Sequence, residues 1–344
     1  MSERALATVE TVRSVRAIDG ADAIECAQVR GWDVVIKKGE LVVGERCLYI
    51  EVDAMLDVTD ERFGFLAHRG VRTDAEGHRG HVLKTARLRG QISQGLALPL
   101  GAFPEVADAT IGADVADTLG IRKWDAPIPA SLAGLARGTR PSWIPKSDEE
   151  RIQNLEWMLA LTDHAWVATE KIDGTSCTIY VDPIEGTHGV CTRNLDLVES
   201  DTNTLWAIAR DLDLHAKLGE IGGRCALQGE VFGEGIQGNP LQIKGTRLAA
   251  FSFIRDGVRV AVGSWPQQLA DVPRAPTIEG LSYPTSIAEA LAQADGRAST
   301  ISGRPAEGIV WVATDASHLR APDGGAERPS WKVISNRYLL KNDR

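Results

Sequence analysis

The run "VATEKIDGTSCTIY" ends an apolar, β-branched stretch on a lysine, Lys171, and follows it two residues later with Asp173-Gly174. An ammonium on a half-buried strand is costly to desolvate. A lysine amine is a nucleophile only when neutral, so burial or nearby cations must lower its pKa from about 10.4. The plainer reading is a strand that ends in an Asp-Gly turn with Lys171 in water. Further segments beyond residue 165 also set reactive side chains at the ends of strand-like runs. "VCTRNLDL" puts Arg193 and Asn194 at a turn, and "CALQGEVFGEGIQGNP" embeds Glu230 beside glycine. "AEGIVWVA" sets Glu307 before Gly308, and "SWKVISNRYLL" opens with Lys332. Two lysines, an arginine and two glutamates so placed suit a phosphorylated ligand. One amine can attack, the other cations can neutralise phosphate charge, and a carboxylate can hold Mg²⁺. "AAFSFI" offers Phe251 or Phe253 as a platform for a base. Each residue also has a purely structural reading: a core phenylalanine, a solvated lysine, an acid at a turn.

The elements that must position these residues fall into two textures. Residues 1 to about 100 form short β-like runs such as "GWDVVIKKGE" and "RCLYIEV", broken at Asp19-Gly20, Lys38-Gly39 and Val43-Gly44. That spacing predicts a small OB-like β-barrel or another all-β module. Within it, Arg79, Lys84, Arg87 and Arg89 fall in a stretch without an acid, which suits a phosphate backbone or one solvated face. The proline-rich "WDAPIPASLAGLARGTRPSWIPKS" reads as a connector, and the boundary is placed near residue 125. "SDEERIQNLEWMLAL" then predicts a helix starting at Ser147-Asp148, with a cap and early acids. Strands and helices mix from there on. The expected division is an OB-like domain over 1–125, a linker to about 145, and a catalytic domain over 126–344.

Composition narrows the class. The 344 residues are 43% hydrophobic and 25% charged, enough for two domains of a globular protein. A net charge of −9 argues against a surface that grips nucleic acid everywhere, but allows a local basic groove. No apolar run nears the roughly 20 residues of a membrane span. The N-terminus lacks the apolar core of a secretory signal. The five cysteines are scattered, without zinc-site spacing, and read as reduced cysteines of a cytoplasmic protein.

The order of the motifs resembles the covalent nucleotidyltransferase superfamily of ATP-dependent polynucleotide ligases and RNA capping enzymes. Lys171-Ile172-Asp173-Gly174 matches its Lys-x-Asp-Gly hallmark, and "CTRNLDL", "GEVFGEGIQGNP", "AFSFI", "EGIVWV" and "WKVIS" resemble the five motifs that follow in RNA ligases. "SWIPKSDEERIQN" resembles a segment that precedes the lysine in several of them. With twelve residues after Lys332, the β-rich module lies in front of the core, an order similar to Deinococcus-type RNA ligases.

The resemblance implies an α+β fold: an N-terminal OB-like barrel followed by an ATP-grasp-like, antiparallel-sheet nucleotidyltransferase core. It implies an ATP-dependent RNA ligase using Mg²⁺ or Mn²⁺, acting on RNA or a nicked RNA/DNA duplex. In that scheme Lys171 becomes lysyl-AMP and Lys332 contacts the α-phosphate. Glu170 lies beside adenine, largely through its backbone, with Ile172 next to it in the nucleotide site. Arg193, Asn194 and Glu230 address the ribose, phosphates or ends, Phe251 stacks on adenine, and Glu307 assists the metal. Asp173 and Gly174 shape the loop. Many RNA ligases carry a second lysine in the last motif, where this chain has Ile334; Lys244 and Lys341 are the candidates to replace it. A monomer is the default expectation. The rival expectations are a DNA ligase, a GTP-dependent capping-type enzyme, and a non-catalytic nucleic-acid-binding protein.

Overall fold

The strand Ala7–Ala17 is long enough to serve two partners in succession. Its first half pairs antiparallel with Arg46–Ile50, from Ala7↔Ile50 to Thr11↔Arg46. Its second half pairs with Ile24–Val29, with a register shift between Val12 and Ser14. Such a bulge bends the strand and adds twist, so the sheet curls on itself. The computed structural model, which describes residues 4–74, 76–124 and 135–342, orders this five-stranded sheet as Leu96–Pro99, Arg46–Ile50, Ala7–Ala17, Ile24–Val29 and Trp32–Lys37. Its ends are drawn together where Gln94 donates its N–H to Asp33 O (2.9 Å) and Val35 donates its N–H to Ser93 Oγ (2.9 Å). Trp32, Val34 and Ile36 alternate inward and pack with Tyr49 and Leu41. This is the OB-type barrel expected. The basic stretch forms the strand Arg79–Val82 and a hairpin of Ala86–Leu88 with Gln91–Ser93. Arg89 (φ 49°) and Gly90 (φ 83°) make its two-residue turn, the left-handed pair that matches strand twist.

The chain divides into two units, Met1–Pro129 with Leu339–Arg344, and Ala130–Tyr338. The boundary expected near residue 125 lies outside the described residues. In the second unit a seven-stranded antiparallel sheet runs in the order Ala136–Thr139, Leu195–Leu197, Thr187–Cys191, Thr175–Asp182, Cys225–Gly233, Thr246–Arg255 and Val258–Val260. One face turns Cys225, Leu227 and Val231 into a core shared with the helices Thr204–Asp211 and Leu214–Ile221. A three-stranded sheet orders Trp166–Lys171, Gly308–Ala313 and Ser330–Ile334, and packs Trp311 and Trp331 against the helix Ile287–Ala294. Lys171 is the last residue of its strand in one sheet and Thr175 the first of its strand in the other, so only residues 172–174 separate these two strands. All five cysteines are free and buried. Among the described residues no helix is long and apolar enough to cross a membrane.

The helix expected from Ser147-Asp148 does not form. Residues 152–154 and 156–160 make short 3-10 turns. The acids that read as a helix start have other partners. Glu149 accepts from Ser330 Oγ (2.6 Å) and pairs with Arg328 (2.9 Å), and the backbone of Glu150 accepts from the Lys332 N–H (2.8 Å). Three arginines fix the segment leading there. Arg140 donates to Ile144 O, Arg259 to Lys146 O (2.6 Å), and Arg328 to Ser147 O (2.8 Å) and Asp148 O. Burial and the neighbouring Arg328 push the Arg259 pKa down to about 9.

Candidate active site

The register of the three-stranded sheet pairs Lys171 with Gly308 and Val310 with Lys332. Glu307 therefore lies beside Lys171, with Nζ to Oε1 at 2.7 Å. Gly308 is required there, because a Cβ would come within 2.2 Å of Val333 O. In the larger sheet Ser176 pairs with Glu230, on the strand face opposite the helices. Gly174 lets the linking loop press onto this strand. A Cβ on it would sit 2.4 Å from Val231 O and 3.0 Å from Glu230 Cγ. Between them, Asp173 Oδ2 accepts from the Tyr338 hydroxyl at 2.6 Å. The structure thus gathers Lys171, Asp173, Glu230 and Glu307 from three chain segments, with Lys332 near enough to act on Glu307 by its charge.

One ammonium here faces three carboxylates, and the charges of Lys171, Glu230 and Glu307 are coupled. Burial works against the Lys171 charge, yet Glu307, then Glu230 and Asp173, outweigh it and raise the pKa. Without a further cation Lys171 is thus an ammonium paired to Glu307. Burial raises Glu230 to about 7, with Lys171 opposing and Glu307 adding to the shift. Burial also raises Glu307, against Lys171 and, more weakly, Lys332. Glu307 Oε2 is buried without a hydrogen-bond partner among the described residues. An orphaned carboxylate oxygen in a pocket of excess negative charge fits a hard divalent cation, and Glu307 is its candidate ligand.

The remaining candidates are placed as follows. Ile172 is buried with Phe232, Leu241 and Ala249. Phe253 is 1% exposed in the helix-facing core, edge-on to Trp265, whereas Phe251 is half-buried at a register shift between its strand and Gln228-Gly229. A bulge supplies one extra residue and re-aims side chains, so it separates the two phenylalanines. Arg193 and Asn194 are exposed at their turn. Arg193 Nε donates to Asp148 Oδ2 at 2.8 Å, and Asn194 O accepts from the Arg140 N–H. Ile334 is buried, Lys244 is exposed, and Lys341 groups with the N-terminal unit.

Glu170 is 3% exposed; its N–H donates to Pro276 O (2.8 Å), and its carboxylate is held by Thr300. Sequence reasoning missed Thr300, Tyr338 and the segment 273–278, which stitches the two sheets. Ala275 donates to Ala250 O beside Phe251, and Ile278 donates to Ala168 O on the lysine strand.

An RNA ligase family model matches residues 164–334, and an OB-fold domain model matches residues 6–100. A search of curated proteins finds no match. Among solved structures, an apo aspartate-to-alanine variant of Naegleria gruberi RNA ligase is 38% identical, covers 100% of both chains and superposes with a TM-score of 0.87. The same ligase with PPi is 39% identical over 99% of this chain and 100% of that one, at a TM-score of 0.86. A lysine-to-alanine variant with ATP and Mn is 38% identical over 98% and 99%, also at 0.86.

Proposed function

The chain belongs to the RNA ligase family, and from that premise we propose that it joins RNA 3′-hydroxyl and 5′-phosphate ends through a covalent AMP on Lys171. It is an ATP-dependent RNA ligase with an N-terminal OB-fold domain. The reading rests above all on Lys171, which closes its strand 2.7 Å from Glu307 with Glu230 and Asp173 around it.

In the first step Lys171 Nζ, having lost its proton, attacks the α-phosphate. An N–P bond forms, the bond to the β-phosphate breaks, and pyrophosphate leaves. In the second, a 5′-phosphate oxygen of the RNA attacks the same phosphorus and Lys171 departs, regaining a proton. In the third, the 3′-hydroxyl attacks the activated 5′ end, a phosphodiester forms, and AMP is expelled. The carboxylates that hold Lys171 protonated disfavour the first step and favour the second, since they stabilise the departing amine as an ammonium. Glu307, with Glu230 and Asp173 near it, would hold a Mg²⁺ or Mn²⁺, which would supply positive charge to offset them. Lys332, on the far side of the strand Gly308–Ala313 from Lys171, places a further cation where phosphate charge develops. Phe251, the half-buried phenylalanine, stacks on the adenine. Arg193 and Asn194, exposed at their turn, face the RNA ends.

The substrate we propose is a nick whose 3′-hydroxyl strand is RNA in a duplex, sealed by a monomer. The barrel's exposed Arg79, Arg87 and Arg89 support backbone contact. The test offers nicked duplexes with RNA or DNA on the 3′-hydroxyl side. Faster sealing of the RNA-ended nick is expected, and equal rates on both, or activity on single strands alone, would refute the nick assignment.

A further inference from the structure

Beside the lysine sits a carboxylate that the scheme above leaves without chemistry of its own. Glu170 is 3% exposed. One of its oxygens, Oε2, accepts from both the backbone N–H (2.7 Å) and the hydroxyl (2.6 Å) of Thr300. The other, Oε1, is buried with no hydrogen-bond partner among the described residues. A two-point grip fixes the plane of a carboxylate, because the donors arrive from one residue with a set spacing. The orphaned oxygen is costly unless a ligand or water donates to it. Thr300 belongs to a turn that is itself pinned: Ser299 Oγ accepts from the Ile301 N–H, and Ser299 donates to Arg304 O (2.6 Å). On the other side, the Glu170 N–H is committed to Pro276, in the segment bonded to Ala250 beside Phe251. The orphaned oxygen thus belongs to a residue whose backbone is bonded to segment 273–278, and that segment is in turn bonded to the strand that carries Phe251, the proposed adenine platform.

We propose that Thr300 is a positioning residue for nucleotide choice, holding Glu170 so that its free oxygen accepts a hydrogen bond from the exocyclic amine of the bound base. The proposal rests on the ligase reading and deepens it. A carboxylate acceptor at that point favours a 6-amino purine and repels a 6-oxo purine, whose oxygen also accepts. Sites built to hydrogen-bond a substrate group discriminate strongly against analogues that lack it.

The test measures the first step with ATP and with purine riboside triphosphate, which lacks the amine, in the full-length protein and in Thr300→Val and Thr300→Ser. The valine variant keeps the backbone donor and shape but loses the hydroxyl. Wild type is expected to favour ATP by about tenfold or more in kcat/KM. Thr300→Val should raise KM for ATP several-fold, leave the amine-free analogue as it was, and so narrow the preference. Thr300→Ser should restore it. An unchanged preference in folded Thr300→Val, or an equal loss on both nucleotides, would overturn the assignment while leaving the ligase reading standing. Failure of the wild type to take AMP from either nucleotide would instead overturn the reading, and this proposal with it.

Discussion

The barrel and the core place charge in opposite ways. In the barrel, Arg79, Arg87 and Arg89 lie in solvent on a strand and a hairpin, and Arg89 occupies a left-handed turn position that costs about 1 kcal/mol. In the core, Lys171 is half-buried among three carboxylates, and its charge is coupled to those of Glu230 and Glu307. Exposed cations act on a polyanion additively and are screened by salt, which suits a phosphate backbone of any sequence. A coupled buried cluster suits chemistry, because adding or removing one charge moves the nucleophile's pKa. Variants of the core should therefore stop AMP transfer to the protein, and variants of the barrel should spare it.

The largest effect is expected from Lys171→Arg, whose guanidinium stays charged and cannot attack. Label transfer from α-labelled ATP should be undetectable, and retained transfer would break the comparison at its root. Next, Lys332→Ala should fold normally by circular dichroism and slow the first step by about 10²–10³-fold; an unaffected rate would remove Lys332 from the site. Replacing Arg87 and Arg89 together by Glu should leave the first step within about twofold and lower nick sealing about tenfold at low salt, with a shallower salt dependence. If both steps fall equally, the contrast between the regions fails.

The smallest effect concerns stability. Glu230 is raised in the folded state to about 7 from an ordinary 4.5, so the native protein holds a proton there that the unfolded chain has released. Its contribution to stability is complete at low pH and is lost as pH rises from about 4.5 through about 7. Glu230→Gln should remove that loss and raise the melting temperature at pH 8 by a few degrees, equivalent to about 1–3 kcal/mol, with little change at pH 5. A lower melting temperature at pH 8 would show the carboxylate to be fully compensated in the fold.

Much of the architecture was legible because short-range patterns dictate it. Trp32, Val34 and Ile36 alternate at the strand period, and the glycines at 20, 39 and 44 turn with positive φ where the sequence breaks. The lysine strand and the strand after Glu307 were likewise visible as apolar runs, the first followed by Asp173-Gly174 and the second opening on Gly308. What failed depends on partners far along the chain. Residues 148–161 have a helix's cap and acids, but Arg328 and Ser330 claim Glu149 from 179 and 181 residues away. The bulge that separates Phe251 from Phe253 leaves no mark in "AFSFI". Tyr338 meets Asp173 across 165 residues and Thr300 meets Glu170 across 130, and no spacing rule reaches that distance.

The central claim is that Lys171 carries the AMP. The protein is first stripped of any bound AMP with pyrophosphate and Mg²⁺, then incubated with ATP and Mg²⁺, digested and mapped by mass spectrometry. The account predicts one AMP, on the peptide containing Lys171, stable to base and labile to acid as an N–P bond is, and absent from Lys171→Ala. AMP on another residue, on Lys332 above all, or none on folded protein that still seals RNA, would contradict it.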